Sequence, residues 1–151
     1  MVDKLTYKKK ILEACLTEQI RLEEHNREIM KEAQETANES EQTQDLYDSY
    51  RTQLLQKRDM FAKQLRKIIE ERIVLERIDP GDLHDAVQFG SVVITNKQKM
   101  FVSIGMGKFS LDGQEFIAIS PLVPIYKAME GKKKGDKFRC NNNEFTILDV
   151  F

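Results

Sequence analysis

The stretch "YDSYRTQLLQKRDMFAKQLRKIIEERIVL", residues 47–75, decides the fold of this chain. An apolar side chain recurs in it at every seventh position: Tyr47, Leu54, Phe61, Ile68 and Leu75. A strict seven-residue apolar repeat is typical of a helix whose apolar seam packs against a second helix. The stretch therefore predicts one helix of a coiled coil.

A weaker repeat with the same spacing lies upstream and predicts the partner helix. It consists of Cys15, Leu22 and Ile29. Antiparallel folding of the two segments produces three apolar pairs: Ile29 with Leu54, Leu22 with Phe61, and Cys15 with Ile68. That register predicts the turn between Glu41 and Gln42, inside the stretch "ANESEQ".

The predicted seam is partly polar. The same register pairs Asn26 with Lys57 and Gln19 with Gln64. Polar seam residues lower the stability of a coiled coil but fix its register. Residues 8–36 alone would form a helix about 40 Å long at a rise of about 1.5 Å per residue. A long, thin and partly polar arm indicates that the hairpin serves to extend its end toward a distant target rather than to stabilise the protein.

Acidic residues are concentrated at the predicted turn. No Lys or Arg lies between Lys31 and Arg51, whereas acids do: Glu32, Glu35, Glu39, Glu41, Asp45 and Asp48. Such a cluster would be stabilised by a cation at its target. A purely structural interpretation stands beside this one. Asn38 as N-cap and Glu41 three residues later would form a capping box at the start of the second helix. The two interpretations are compatible, because a capping segment can also present a carboxylate.

The chain changes character near residue 80. All seven Gly and all three Pro lie from Pro80 onward, which predicts helix up to about Arg77 and short strands with turns after it. Alternating segments predict five strands: "SVVIT", "KMFVSIG", "EFIAIS", "KFRCN" and "EFTILDVF". A short helix is predicted between the third and fourth strands, with Pro124 in its first turn and Gly131 at its end.

These patterns predict an α+β fold. An antiparallel α-helical coiled-coil hairpin would occupy residues 1–79, and a linker residues 80–85. A small antiparallel β-sheet domain with one short helix would occupy residues 86–151.

Composition excludes several classes. The net charge of −1 predicts neither a nucleic-acid nor a membrane partner from bulk charge. The sequence contains no apolar run of about 18 residues, so no transmembrane helix is predicted. The N-terminus has no apolar core of a signal peptide. Cys15 and Cys140 lack metal-binding spacing and are expected to be free thiols of a cytoplasmic protein. His25 and His84 are expected to be solvated surface residues, because neither has a partner at metal-ligand spacing.

The remaining motifs are interpreted as turns. "GKKKGD", residues 131–136, lacks the Lys-Ser/Thr pair of a phosphate loop and is predicted to be a solvated turn. "GMGKFSLDG" is predicted to be a loose Gly-rich turn. The sequence shows no Ser/His/Asp or Cys/His set and no enclosed pair of catalytic carboxylates.

The combination resembles the bacterial Gre family of transcript cleavage factors, over nearly the whole chain. The similarity is clearest in "VQFGSVV" and in "ISP…AMEGKKKGDKF…EFTILDVF". The family pattern of Ser-Pro, then Gly-Lys, then Gly-Asp before a strand is matched by Ser120-Pro121, Gly131-Lys132 and Gly135-Asp136. The resemblance implies an FKBP-like C-terminal domain.

What the resemblance implies about function is specific. Such factors bind RNA polymerase at its secondary channel chiefly through the C-terminal domain, so Ser120, Pro121, Gly131 and Lys132 would contact the polymerase. The coiled-coil tip enters the channel and helps the polymerase cleave backtracked nascent RNA. The chain would have no catalytic residues and no bound cofactor of its own. It would share Mg²⁺ with the polymerase, and we expect a monomer without a membrane partner.

The family tip pattern, Gly-Asp-x-x-Glu-Asn, corresponds here to residues 37–42. Glu41 matches the Glu and would be the metal ligand in the complex with polymerase. Asn38 stands in the place of the Asp and is a poorer Mg²⁺ ligand because it is neutral. Glu39, the acid next to it, would act at the polymerase active site together with Asn38 and Glu41. Channel binding with cleavage and channel regulation without cleavage both remain open.

Two hypotheses from other classes stand beside this one. The FKBP-like resemblance suggests the hypothesis that the chain is a prolyl isomerase. No aromatic-lined pocket is evident, however, in the 66 C-terminal residues, 86–151. A coiled-coil chaperone or adaptor unrelated to transcription would expose its apolar seam. Protection of Leu54 and Phe61 from hydrogen exchange would argue against that hypothesis.

Overall fold

The computed structural model describes residues 3–40 and 48–151. Helix α1 spans Lys4–Ser40 and helix α2 spans Asp48–Glu76. Six strands and one short helix follow: β1 Val92–Thr95, β2 Lys99–Val102, β3 Gly107–Leu111, β4 Gln114–Ile119, α3 Pro124–Met129, β5 Lys137–Cys140 and β6 Asn143–Val150. The α+β prediction is confirmed. The residues Glu41, Gln42 and Tyr47 lie outside the described part of the chain.

The six strands form one sheet in the order β3-β4-β2-β1-β6-β5. All neighbouring pairs are antiparallel except β2 and β4, which are parallel with Met100 opposite Ile117. The prediction of a purely antiparallel sheet is therefore wrong at this pair. Two-residue turns close both terminal hairpins, and Asn141 and Asn142 adopt positive φ in the one between β5 and β6. The predicted Asn turn is confirmed.

Apolar side chains pack on both faces of the sheet. Consecutive strand residues alternate between two buried clusters, so that Val92 and Phe101 belong to one and Val93 and Met100 to the other. The first cluster includes residues from the beginning of α1 and the end of α2: Ile11, Cys15 and Leu75. The second includes Tyr126 and Met129 of α3. Each face is thus covered by helix, as a small sheet requires.

The chain divides into two compact units. One, called here the β domain, comprises Met1–Glu18 and Ile73–Phe151. The other, called here the helical hairpin, comprises Gln19–Arg72. The predicted limits 1–79, 80–85 and 86–151 stay predictions. None of the helices within the described residues combines the length and the apolar character that a membrane crossing needs.

Within the helical hairpin, three polar contacts define how the helices run. Gln19 Nε2 donates to the Ile68 carbonyl oxygen at 2.9 Å, Arg72 Nε donates to Glu23 Oε2 at 2.7 Å, and Arg58 hydrogen-bonds to Gln34. The helices are antiparallel, as predicted, because Gln19 and Glu23 contact residues near the end of α2, whereas Gln34, further along α1, contacts Arg58 nearer the beginning of α2. Leu54, Phe61 and Ile68 are half-buried, whereas the buried residues of α1 within the helical hairpin are Gln19, Glu23, Asn26, Ala33 and Ala37.

The predicted register of the hairpin is displaced. Gln19 was paired with Gln64, but its amide reaches Ile68, four residues further along α2. The physical reason lies in the helix ends. Helix α1 continues through Asn38 to Ser40, past the residue predicted to cap the second helix. Asn38 is therefore a residue of α1, and the predicted capping box at the start of the second helix is wrong.

Three further expectations need correction. Cys15 packs in the apolar cluster of the β domain rather than opposite Ile68 in a coiled-coil seam. "GMGKFSLDG" contains strand β3 rather than only a turn. His84 is not a solvated residue, since only 10% of its side chain is exposed. His25 is exposed and both cysteines are free, as expected.

Candidate functional site

The last turn of α1 carries two of the three residues predicted to act at the tip. Asn38 and Glu39 lie in it, and both are exposed. The Asn38 amide oxygen accepts a hydrogen bond of 2.8 Å from Nε2 of Gln34, one turn earlier in the helix. The side chain predicted as a poor metal ligand thus already has a partner in its own helix.

A chain of polar contacts links Asn38 to the second helix. The Gln34 amide oxygen accepts a hydrogen bond from Arg58 of α2. Arg58 in turn donates from Nε and Nη2 to Oδ1 of Asp59, at 3.0 and 2.8 Å. The planar Arg guanidinium suits such simultaneous donation. The Gln34–Arg58 contact links the two helices, and Asn38 is joined to it through Gln34.

The acids of this segment face water. Glu32, Glu35 and Glu39 are exposed. Lys31 Nζ lies 4.0 Å from Glu35 Oε1, but both side chains are more than half exposed, and such pairs contribute little. Within residues 3–40 and 48–151, Glu39 has no ion-pair partner. A free carboxylate at this position is available to a cation on another molecule.

The described residues do not form a metal site of their own. No group of three or more His, Cys, Asp and Glu residues in them could hold a metal ion. One exposed carboxylate and one occupied amide oxygen are too few for Mg²⁺, which needs about six oxygens. Glu39 fits the role of one added ligand to an ion held elsewhere. Glu41, the residue predicted to bind metal, lies outside the described residues.

The residues predicted to contact polymerase lie at the two ends of α3. Before the helix, Ser120 Oγ accepts the Leu122 N–H at 3.2 Å, which shapes the turn that carries Pro121. After it, Gly131 adopts φ of 77° and donates to the Val87 carbonyl at 2.9 Å. The Lys132 carbonyl accepts the Val87 N–H at 2.8 Å. Two pairs of predicted residues therefore flank one short helix, with roughly 9 Å of helix between them.

A cluster that the sequence did not reveal lies in the β domain. Lys8 is completely buried, and its Nζ donates to the Asp82 carbonyl at 2.6 Å. His84 Nδ1 lies 2.7 Å from Ser91 Oγ, and His84 Nε2 lies 3.7 Å from Asp82 Oδ2. Burial lowers the pKa of Lys8, although Asp82 and Asp79 oppose that shift. The contacts join the beginning of α1 to the segment that precedes β1.

This Ser/His/Asp set is structural. Ser91 is fully buried, and its Oγ accepts the Gln88 N–H at 3.0 Å, so no substrate can reach it as a nucleophile. Burial lowers the pKa of His84, and the charge of Lys8 lowers it further, whereas Asp82 raises it. His84 is neutral near pH 7 and holds the segment in place. No local sequence signal marks the cluster, because Lys8 and Asp82 are 74 positions apart.

No family model matches this chain. Two solved structures are similar to it over about nine-tenths of its length. The transcription factor Gfh1 is 20% identical, with 91% of this chain and 93% of that chain covered and a TM-score of 0.38. GreA factor homolog 1 (Gfh1) of Thermus thermophilus is 20% identical, with 90% and 94% covered and a TM-score of 0.34. At TM-scores below 0.5, neither the family nor the function of this chain follows from the similarity.

Proposed function

We propose that this chain is a Gre-like transcription elongation factor that binds RNA polymerase and acts through its secondary channel. It would be cytoplasmic and monomeric. It would bring carboxylates to the polymerase active site, where nascent RNA of backtracked complexes lies, and would not be an enzyme itself. The support comes from the motif pattern Ser120-Pro121, Gly131-Lys132 and Gly135-Asp136 together with the two long antiparallel helices.

The end of α1 is the observation that carries the proposal. Gln34 contacts Arg58 of α2, and α1 continues beyond Gln34 to Ser40. The exposed Glu39 lies on this extension without an ion-pair partner within the described residues. An exposed carboxylate at the end of a helix contributes little to folding. It is well suited to contact a cation on another molecule.

Mg²⁺ would belong to the polymerase, where it stabilises the charge of the reacting phosphate and activates water. From this chain, Glu39 would contribute an oxygen ligand, and Glu41 would do so from outside the described residues. Asn38 would orient the last turn of α1 through Gln34 rather than bind the ion, because its amide oxygen is occupied.

A transcript-cleavage assay on backtracked complexes tests the proposal. We expect binding to core polymerase at micromolar concentration, and loss of any cleavage on Glu41→Ala. Glu28→Ala, at an exposed position of α1, is the control and should leave cleavage unchanged. Asn38→Asp should raise cleavage, because it adds a charged oxygen at the end of α1. Absence of polymerase binding, or full cleavage by Glu41→Ala, would contradict the proposal.

A second function is favoured by the hydrogen bond that occupies Asn38. A factor whose only free carboxylate in the described last turn is Glu39 would occupy the channel without stimulating cleavage. The same assay distinguishes the two functions. Binding with altered elongation or pausing and no cleavage supports a regulator, and cleavage that depends on Glu41 supports a cleavage factor.

A further inference from the structure

The sheet ends in two strands that each pair with only one neighbour. Strand β5 pairs with β6 alone, and strand β3 pairs with β4 alone. An edge strand presents a row of backbone N–H and C=O groups that another extended chain can pair with. Both edges could therefore pair with another extended chain, but their side chains differ.

The hairpin geometry identifies which groups of β5 point outward. Cys140 pairs with Asn143 across a two-residue turn and is the first hydrogen-bonded pair. Hydrogen-bonded and non-bonded pairs alternate, so the pairs Arg139–Glu144 and Lys137–Thr146 are non-bonded. The backbone groups of Lys137 and Arg139 thus point away from β6. The Ile147 N–H bonds to the Asp136 carbonyl at 2.9 Å, which agrees with this alternation.

Basic side chains line this edge. Lys137 and Arg139 are exposed on β5, and three lysines precede them in the turn: Lys132, Lys133 and Lys134. Two acids accompany them. Asp136 Oδ2 accepts the Lys133 N–H at 2.8 Å, and Glu144 lies 3.9 Å from both Lys137 and Arg139. One carboxylate shared by two cations leaves the strip positive, in a chain whose net charge is −1.

The face of β5 opposite the Lys137 and Arg139 side chains is apolar. Phe138 is buried and stacks on Phe145 with ring centroids 4.9 Å apart. Beyond it lies a pocket of about 310 Å³, lined by Val123, Pro124 and Ile125 at the start of α3 and by Cys140 and Phe145 of the β5–β6 hairpin; the polar residues Gln98, Asn141 and Asn143 also line it. A strand added beside β5 would place alternate side chains toward the Lys137 face and toward this apolar face.

We propose that the free edge of β5 docks an extended segment of a partner protein in which acidic and apolar side chains alternate. The segment adds as a further strand, its acids contact Lys137 and Arg139, and an apolar side chain enters the pocket beside Cys140. This mode combines main-chain hydrogen bonds with side-chain specificity. A nucleic-acid strand fits less well, because phosphates only accept hydrogen bonds and would leave the outward carbonyls unpaired. The inference does not depend on the proposed function.

The first experiment uses the full chain and the peptide acetyl-Ser-Glu-Val-Glu-Val-Glu-Ser-amide as the probe. Hydrogen exchange followed by nuclear magnetic resonance reports each amide. The Lys137 and Arg139 amides should exchange quickly in the free protein and slowly with the peptide, while those of Lys108 and Ser110 at the β3 edge stay unchanged. Binding weaker than about 1 mM, or no protection at these two amides, would overturn the proposal.

Two methylated peptides separate strand pairing from charge attraction. In an extended peptide the Glu and Val N–H groups point to opposite edges, so one peptide carries N-methyl groups on its valines and the other on its inner glutamates. Strand addition predicts that one of them loses binding and the other keeps it. Equal binding by both would show charge attraction alone. Tighter binding of a twelve-residue oligothymidylate at the same amides would identify a nucleic-acid site and overturn the proposal.

Matched variants at the two edges complete the test. Lys137→Glu with Arg139→Glu should weaken peptide binding by about tenfold or more. Lys108→Glu at the β3 edge should leave binding unchanged. Arg139→Pro removes one outward N–H, a change that edge strands tolerate, and should abolish binding, whereas Ser110→Pro should not. If the charge reversal perturbs the hairpin, Arg139→Gln keeps its size and should still weaken binding. Unchanged binding by Arg139→Pro would contradict the strand geometry.

Discussion

The two units of the chain hold themselves together by different means. The β domain buries aromatic and aliphatic side chains on both faces of its sheet, with Phe101, Phe116 and Met100 completely inaccessible. The helical hairpin buries Gln19, Glu23 and Asn26, and its two fully buried apolar residues are alanines, as far as the described residues go. Asn26 Nδ2 has no hydrogen-bond partner there. Apolar burial supplies stability, whereas polar contacts chiefly define register. The buried residues of the hairpin therefore define its register more than they stabilise its folded state.

The largest test of this comparison removes a core ring from the β domain. Phe116 is fully buried, stacks on Phe109 at 5.5 Å and meets the edge of Tyr7 at 6.2 Å. Phe116→Ala should lower the free energy of unfolding by about 3–5 kcal/mol. Denaturant unfolding followed by the amide resonances of the strands measures it. Phe89→Ala is the control, since that ring is 40% exposed and should cost far less.

A smaller effect is expected from the ion pair in the hairpin. Glu23 is 10% and Arg72 27% exposed, and Arg72→Met leaves the carboxylate with Arg27 at 2.8 Å. The cost should be about 1–3 kcal/mol, because a largely buried carboxylate loses one of its two charged partners. Replacing both residues by leucine should cost less than this single change. A double variant that is the least stable of the set would show that the pair stabilises the hairpin, against the contrast drawn above.

The buried polar cluster of the β domain should make its stability depend on pH. The pKa of His84 is lowered in the folded state, so below about pH 6.5 the unfolded chain binds more protons. Stability is fully present above pH 6.5 and falls as pH decreases through that value. Lys8, Asp82 and Asp85 are the charges that act on His84. Thermal unfolding between pH 7.5 and 5.5 measures the slope, and His84→Gln should flatten it. An unchanged slope would exclude His84 as its source.

The smallest effect concerns the end of α1. Asn38→Ala removes the hydrogen bond from Gln34 and should cost about 0.2–0.5 kcal/mol, as for other pairs one turn apart on an exposed helix. The measurable consequence is local: amides of residues 36–40 should exchange faster while those of β1 and β2 do not change. Faster exchange throughout the chain would mean that Asn38 supports more than its own helical turn.

Sequence reasoning succeeded where structure depends on neighbours along the chain. The heptads of α2, the strand alternation, and the Pro124 and Gly131 ends of α3 all express local periodicity or backbone preference. Strand β3 was not predicted, because its alternation is short, with Phe109 as its single buried side chain, and lies among the glycines of "GMGKFSLDG". The parallel pairing of β2 with β4 escaped because it depends on topology rather than on local composition.

The candidate site was predictable only in part. Acids at the end of the hairpin are visible in the sequence, but the continuation of α1 through "ANES" is not, since the same letters satisfy a capping motif. The contact between Gln34 and Arg58 depends on a register that apolar spacing alone misplaced. The burial of Lys8 also needs a partner 74 residues away, which no local pattern encodes.

The reactivity of the Cys15 thiol reports how often the core of the β domain opens. Burial raises the pKa of its thiol to about 12, so at neutral pH it carries almost no thiolate, the form that attacks thiol reagents. Its side chain is completely inaccessible, while Cys140 is partly accessible at the end of β5. The rate at which Cys140 reacts with a thiol reagent would measure the reactivity of an accessible thiol. Cys15 would react only when the packed core opens. The ratio of the two reaction rates would report how often the packed core of the domain opens under native conditions, without denaturant.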